Sequence, residues 1–455
     1  MISSTRVSGL VKVLVALAVF IWGLWYLEIP RPSLSFEKTV QTFKSEKEQY
    51  LEDYLRHEVG GPFDGDAITT LCAKKTWTKG LIFHCDPVPG GIGEVRNAHL
   101  NCIRFAMEAG AELILPEVIR RNEKDISIIA PQSNGSPRGV SLDYYFDKQH
   151  LHRTLSRYCP QMKLIQSIDD LYDVPMGNPV TISAASVGMS MVNGTLMEYP
   201  AMWAKKYQKF VNAESDFKTR TWPFRVILSP ETYVWPTAFD PPEFVSSFGR
   251  ILLFREDARI LSASVVLAMK QAMGQHVSKP SGAPAKRHHE VEGFVGVHLR
   301  TEKDVWDKSF PSFQEQAAYY VDFVRKSPYR YAYLATGDAT GNVTAFKEHA
   351  RVANITVLTK DDLLAPAERG RLAGLSWDQQ ALVDYEVLLR ADLTVGISES
   401  SFAWNIALRR AATAGHIGGD PPESNLAKHV RWWDGTNLVV GDDEEGMDMQ
   451  MGIWP

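Results

Sequence analysis

The sequence predicts two doubly wound α/β domains separated by a cleft, behind an amino-terminal membrane anchor. Three observations predict it. Near the amino terminus lies an apolar run without charge; a strand, glycine-rich loop, helix and strand follow from Gly80; and strand and helix patterns alternate over 294–410. The chain has 455 residues, 45% of them hydrophobic, enough to bury two ordinary cores. Its 49 Lys+Arg against 54 Asp+Glu leave a formal net charge of −5. That near balance gives no global field to recruit nucleic acid or an anionic membrane surface, so an anionic ligand must be met by local positive groups.

The apolar run, residues 13–27, follows Arg6 and Lys12 and ends at Glu28. Counted from Val7, with Lys12 snorkelling to the interface, it reaches roughly the ~20 residues a bilayer needs. Trp22, Trp25 and Tyr26 form an interfacial aromatic anchor, and a small-x-small cleavage pattern is missing. Both features favour a retained signal-anchor over a cleaved signal peptide. Positive charge on the amino-terminal side predicts a single-pass type II protein of the Golgi or ER membrane: residues 1–28 form the cytosolic tail and span, and the rest is lumenal. Asn134, Asn193, Asn342 and Asn354 open N-x-[ST] sequons. Cys72, Cys85, Cys102 and Cys159 permit two disulfides in three pairings, and an oxidising lumen favours at least one bridge.

Residues 29–77 are charged and heptad-like in places, which predicts a helical stem. Asp64-Gly65-Asp66 fits the D-x-D of metal-dependent sugar transferases, but Gly60, Gly61 and Pro62 precede it where a strand would be needed, so it reads as a turn. The first domain is expected over 78–275. Its strand 80–85, loop 87–93, helix 96–109 and strand 112–116 make a parallel βαβ unit whose loop brings backbone N–H groups toward a ligand. Residues 276–292, rich in Pro, Gly and charge, read as a linker or mobile loop. The His288-His289 and His150-x-His152 pairs lack a supporting carboxylate or cysteine and read as solvated histidines. The second domain, 293–455, alternates strands at 294–299, 331–335, 355–359 and 393–396 with helices at 314–325, 344–350, 377–390 and 402–410.

Chemistry concentrates where the strands of the second domain end, the edge at which open α/β sheets bind ligands. Gly296-Val-His298-Leu-Arg300-Thr-Glu-Lys-Asp304, then Tyr333-Leu-Ala-Thr-Gly-Asp338, then Asp392 through Ser400-Ser401-Phe402 describe a nucleotide-diphosphate site. Arg300 offers a planar fork for phosphate oxygens, Ser400 and Ser401 sit at a helix amino terminus suited to an anion, and acidic residues can bind sugar or base edges. Taken singly, an Arg at a strand end also pairs with a surface carboxylate, and Ser-Ser before a helix also serves as an N-cap.

These motifs resemble the GDP-fucose O-fucosyltransferase superfamily over residues 91–410. GVHLRTEKD is similar to the plant-type motif of His-Leu-Arg followed by acidic residues, and YLATGD, LTKDDLL and ALVDYEVLLRADLTVGISESSFA match in order and spacing. In PGGIGEVRN, Gly90-Gly91 and Arg96-Asn97 resemble the family's first loop and helix start. The resemblance implies a GT-B fold, a GDP-fucose donor, inversion at the anomeric carbon, no metal, and a protein or glycan acceptor. It further implies that Arg300 holds the β-phosphate, that His298 contacts the nucleotide, and that Asp384, Ser400, Ser401 and Phe402 line the nucleotide pocket. Some members place a general base, a Glu, where Gly90 stands here; neighbouring Glu94 is the substitute, set against a plain helix-start role. Two rivals remain: another nucleotide-sugar donor on the same fold, and a catalytically silent glycan-binding protein.

Overall fold

The computed structural model describes residues 45–57, 59–122, 126–130, 139–183, 185–192, 196–213, 223–229, 234–274, 293–306, 308–338, 341–414, 429–441 and 450–455. The expected anchor (1–28), the first third of the stem (29–44), the linker 276–292, His288, His289 and the sequons at Asn134 and Asn193 lie outside them. Among the described residues no helix is long and apolar enough to cross a membrane. The chain divides into Met1–Gln49 and Tyr50–Pro455, and the fold below is that of the second unit.

Two helices precede the first sheet: α1 (Glu46–Arg56) and α2 (Asp66–Ala73). They correct the stem reading. Tyr54, Ile68 and Cys72 are buried in the same core as the first strand, Cys72 is bonded to Cys159, and the Tyr54 hydroxyl lies 2.7 Å from Ser262 Oγ. Their polar faces suggest a solvated spacer, but the partners of the apolar face come from far along the chain. Of Asp64-Gly65-Asp66, expected as a turn, Asp64 and Gly65 lie outside regular structure while Asp66 opens α2, its N–H donating to Asp64 Oδ1 at 2.9 Å.

The first sheet follows. In chain order its region comprises β1 (Leu81–Cys85), α3 (Ile92–Ala109), β2 (Glu112–Ile114), α4 (Lys148–Tyr158), β3 (Leu164–Ile165), β4 (Val180–Ile182), a small hairpin of β5 (Met191–Val192) and β6 (Leu196–Met197), α5 (Trp203–Ala213), β7 (Phe224–Leu228), α6 (Pro242–Phe248) and α7 (Glu256–Ala272). The sheet order is β3-β2-β1-β7-β4 and every pair is parallel. Helix α3 begins at once after Gly91, four residues before the predicted start, because Ile92 and Val95 already face the core. It stops at Gly110, whose φ of 62° is left-handed and whose added Cβ would fall 1.9 Å from Thr76 O. A second disulfide joins Cys85, at the end of β1, to Cys102 on α3, so all four cysteines are paired.

The second sheet is built from β8 (Phe294–His298), α8 (Phe313–Lys326), β9 (Tyr331–Ala335), α9 (Gly341–Val352), β10 (Thr356–Leu358), α10 (Lys360–Leu363), α11 (Pro366–Ala373), α12 (Trp377–Leu388), β11 (Leu393–Ile397), α13 (Ser401–Ala414), β12 (Val430–Trp433) and β13 (Asn437–Val440). Its order is β10-β9-β8-β11-β13-β12, parallel except for the antiparallel edge strand β12. The expected α/β architecture with two parallel sheets is therefore present.

The frontier between the sheets is not where a linker alone would put it. One hydrophobic cluster runs from Phe83, Phe105, Phe254 and Leu261 to Val383, Tyr385 and Ile406, while Val295, Val297, Phe323 and Ile397 belong to a second cluster inside the second sheet. The last residues return to the first half: the Trp454 ring packs 4.7 Å from Phe248 and 5.9 Å from Phe244. Residues 293–455 therefore do not form a self-contained domain.

Candidate functional site

In the second sheet the chain leaves β8 toward β9 and β10 on one side and returns through β11 on the other, so β8 and β11 flank a switch point. His298 closes β8 there. Its Nε2 lies 3.1 Å from Ser400 Oγ and its ring stacks on Phe402 at 4.5 Å. Burial lowers its pKa to about 4, so the imidazole is neutral at physiological pH. Ser400 precedes α13 and its Oγ accepts from the Ala403 N–H at 3.4 Å, and Ser400, Ser401 and Phe402 line the crevice.

Arg300 stands two residues beyond His298, on backbone that Gln316 holds from both sides: Gln316 Oε1 accepts from the Arg300 N–H at 2.9 Å and Gln316 Nε2 donates to Arg300 O at 2.8 Å. Its guanidinium donates from Nη1 to Glu302 Oε2 at 2.5 Å and from Nη2 to Asp304 Oδ2 at 2.6 Å. Glu302 is fixed in turn, since its Oε1 accepts from the Gly337 N–H at 2.7 Å and Thr336 Oγ1 at 3.3 Å, tying the end of β8 to that of β9. Burial works against the charge on Arg300, but Glu302 and Asp304 outweigh it and raise the pKa. Burial likewise opposes charge on Glu302, yet Arg300 holds its pKa below the ordinary carboxylate value.

The opposite wall is the loop before α3. Gly90, Gly91 and Glu94 line a cleft of about 520 Å³ together with His298 and Arg300. A Cβ on Gly93 would fall 2.7 Å from Ser401 O and Phe402 N, so the first turns of α3 and α13 touch backbone to backbone. Burial pushes the Glu94 carboxyl up; Lys308, Arg121 and a hydrogen bond from the Gly91 N–H pull it back in part. Arg121 reaches across from the first half to Asp304, Nη1 to Oδ2 at 3.0 Å, and to Asp378.

Of the residues singled out in the sequence, the fold brings Gly90, Gly91, Glu94, His298, Arg300, Asp384, Ser400, Ser401 and Phe402 to this one cleft. Asp384 arrives already engaged, accepting from Tyr333 Oη at 2.6 Å and Lys360 Nζ at 2.6 Å, and burial pushes its pKa up despite Lys360. Three others do not line it. Arg96 is fully buried and donates to Asn405 Oδ1, Gly249 O, Trp454 O and Pro455 O at 2.7–2.9 Å, while Asn97 donates to Gly452 O and accepts from the Trp454 N–H. Both fasten the last residues rather than face a donor. Asp338 is turned onto Thr301 Oγ1 and Asn342 Nδ2, where it braces the loop behind Arg300. Glu302 and Asp304 were visible as the acidic tail of the Arg300 motif. Arg121, Lys308 and Trp377 were not, because nothing in their local pattern marks a strand end.

A second cavity, about 1130 Å³, is larger. It lies beside α2 and α6, where Arg104 is taken up by Asp240 at 2.7 Å and Glu108 at 2.8 Å. Among the described residues no group of three or more His, Cys, Asp or Glu is placed to hold a metal ion.

The family model for GDP-fucose protein O-fucosyltransferase matches residues 81–413. Solved structures similar to the chain include POFUT1 in complex with GDP-fucose, at 13% identity and a TM-score of 0.43, covering 81% of this chain and 100% of that one. They also include a mutant FUT1 of Arabidopsis thaliana in complex with GDP, at 11% identity and a TM-score of 0.38, with 82% and 78% covered. A third is the fucosyltransferase NodZ from Bradyrhizobium, at 12% identity and a TM-score of 0.36, with 73% and 93% covered. No curated protein sequence matches the chain.

Proposed function

Because the chain belongs to the GDP-fucose protein O-fucosyltransferase family, we propose that it is an inverting transferase that moves fucose from GDP-fucose to a hydroxyl of a protein or glycan. One observation carries the reading: Arg300 stands at the end of β8 in the same cleft as the first turn of α13, so a guanidinium and a helix amino terminus converge where a diphosphate would sit. As the bond between the fucose anomeric carbon and the β-phosphate oxygen breaks, charge grows on GDP, and Arg300 with the N–H groups of α13 stabilises it without a metal. The acceptor oxygen forms the new bond from the opposite face, and its proton goes to a base.

Glu94 is the proposed base. It lines the cleft at the start of α3, and burial raises its proton affinity. His298, Asp384, Ser400, Ser401 and Phe402 are the proposed nucleotide contacts. The reading includes a type II anchor at residues 1–28 and a lumenal body in the Golgi or ER. The apolar run with its flanking charges supports the anchor, and the paired cysteines suit an oxidising compartment.

The test is a donor screen with the purified protein, comparing hydrolysis of GDP-fucose with that of GDP-mannose and UDP-sugars. Turnover of GDP-fucose above the others is expected. Preference for another sugar nucleotide would overturn the donor, and binding without turnover would favour a glycan-binding role.

A further inference from the structure

Arg121 belongs to the first half of the chain, just beyond β2, yet its guanidinium ends among the acids of the second. Its Nη1 donates to Asp304 Oδ2 at 3.0 Å, its Nε donates to Asp378 Oδ1 at 3.2 Å, its Nη2 also engages Asp378, and it stacks over the Trp377 ring at 5.3 Å. The Asp304 oxygen it holds is the one that accepts from Arg300 at 2.6 Å. Glu302, Arg300, Asp304, Arg121 and Asp378 thus form one chain of alternating charge across the cleft, with three carboxylates for two guanidiniums.

The two acids on Arg300 are not equivalent. Glu302 accepts from Arg300, the Thr301 and Gly337 N–H groups and Thr336 Oγ1, so it is fixed by several donors. Asp304 is bound through Oδ2 alone, and its buried Oδ1 has no hydrogen-bond partner among the described residues. When an anion competes for Arg300, Asp304 is the partner that yields. Left alone beside a diphosphate, its carboxylate would repel the incoming charge and would have lost its own counter-ion.

We propose that Arg121 is a positioning residue for the donor: it keeps Asp304 neutralised and in place while Arg300 exchanges Asp304 for the diphosphate. The inference rests on the reading that the donor diphosphate lies on Arg300. It assigns Arg121 no contact with the donor, only control of the acid that competes with it.

The experiment measures GDP binding by calorimetry to the full chain and to Arg121→Met, Arg121→Lys, Asp304→Asn and Arg121→Met/Asp304→Asn, with thermal unfolding of each. Arg121→Met is expected to weaken GDP binding at least about tenfold, and Asp304→Asn on that background to restore it to within about threefold, because the unscreened charge has gone. Arg121→Lys, which keeps the charge, should bind GDP within a few-fold of wild type even if Arg121→Met does not fold. A role as a mere tie between the halves predicts the opposite for the double variant, since the tie stays broken. Persistent weak binding in the double variant, unchanged binding in Arg121→Met, or a loss in Arg121→Lys as large as in Arg121→Met overturns the proposal. Wild type that does not bind GDP at all overturns the functional reading itself, and this inference with it.

Discussion

Arg300 is set up as a guanidinium whose place is fixed before any ligand arrives. Gln316 holds its backbone, and Glu302 and Asp304 hold its head, so the proposed exchange of a carboxylate for a donor phosphate would need little reorganisation. Arg300→Ala should lower kcat by on the order of 10²–10³ with an unchanged circular dichroism spectrum, and Arg300→Lys should recover only part, because a point charge cannot replace the fork. Transfer near the wild-type rate in Arg300→Ala would remove this residue from the chemistry. A second expectation concerns protons. Burial holds His84, His99 and His298 at about 4 against an ordinary 6.5. Between those values the unfolded chain binds more protons than the folded one, so stability is intact above pH about 6.5 and falls as the pH drops toward 4. Urea unfolding midpoints should therefore fall between about pH 7 and pH 5, and a flat profile would show that these rings are not held neutral.

At the scale of elements, four of the six strands of the second sheet were legible in the sequence because each is a short apolar run, with the candidate site residues at or just after the ends of β8, β9 and β11; β12 and β13 were not anticipated. The span predicted for β9 agrees with the structure, those for β8 and β11 differ by one residue at one end, and that for β10 by one residue at each end. What stayed hidden has physical causes. Helices α1 and α2 carry a solvated face, and their core partners, such as Cys159 and Ser262, lie far off in the sequence. Arg96 looked like part of the loop motif, but two residues along a helix turn a side chain by roughly 200°, away from the face Glu94 presents. Arg121 gave no signal because its partners, Asp304 and Asp378, meet it only after both sheets have formed. The contact between α3 and α13 makes a testable demand. Gly93→Ala would drive a Cβ against backbone atoms of Ser401 and Phe402 at 2.7 Å, and neither can move without shifting the helix start. It should cost about 1–3 kcal/mol in urea unfolding and weaken GDP binding, because it pushes the two walls apart. Gly91→Ala, whose Cβ would meet nothing within 4 Å, is the control and should leave the unfolding midpoint nearly unchanged. Equal behaviour of the two variants would mean that the helix starts do not set the cleft width.

At the scale of the whole molecule, the halves are held together by buried polar joints as well as by the shared core, and Arg96 is the most loaded of them. It ties α3 to Asn405 on α13, to Gly249 after α6, and to the backbone oxygens of Trp454 and Pro455, with no exposure to solvent. Burial draws its pKa down to about 10, so it remains charged at neutral pH. Four acceptors from three separate segments depend on one side chain. Arg96→Met fills much of the volume but leaves those oxygens without their donor, and each unmet buried acceptor costs about 1–3 kcal/mol, partly offset by solvent at the part-buried Pro455 oxygen. A net loss of about 3–5 kcal/mol is expected. Arg96→Lys should recover little, since one ammonium cannot span the four acceptors. The distinguishing readout is GDP affinity per folded molecule. A joint between the halves predicts a lower unfolding temperature with GDP affinity within about twofold of wild type wherever the protein is folded, because the acceptors lost are all protein atoms. Normal stability with lost GDP binding would restore Arg96 to the donor site, where the loop motif first put it, and would mean that the last residues are held by other contacts.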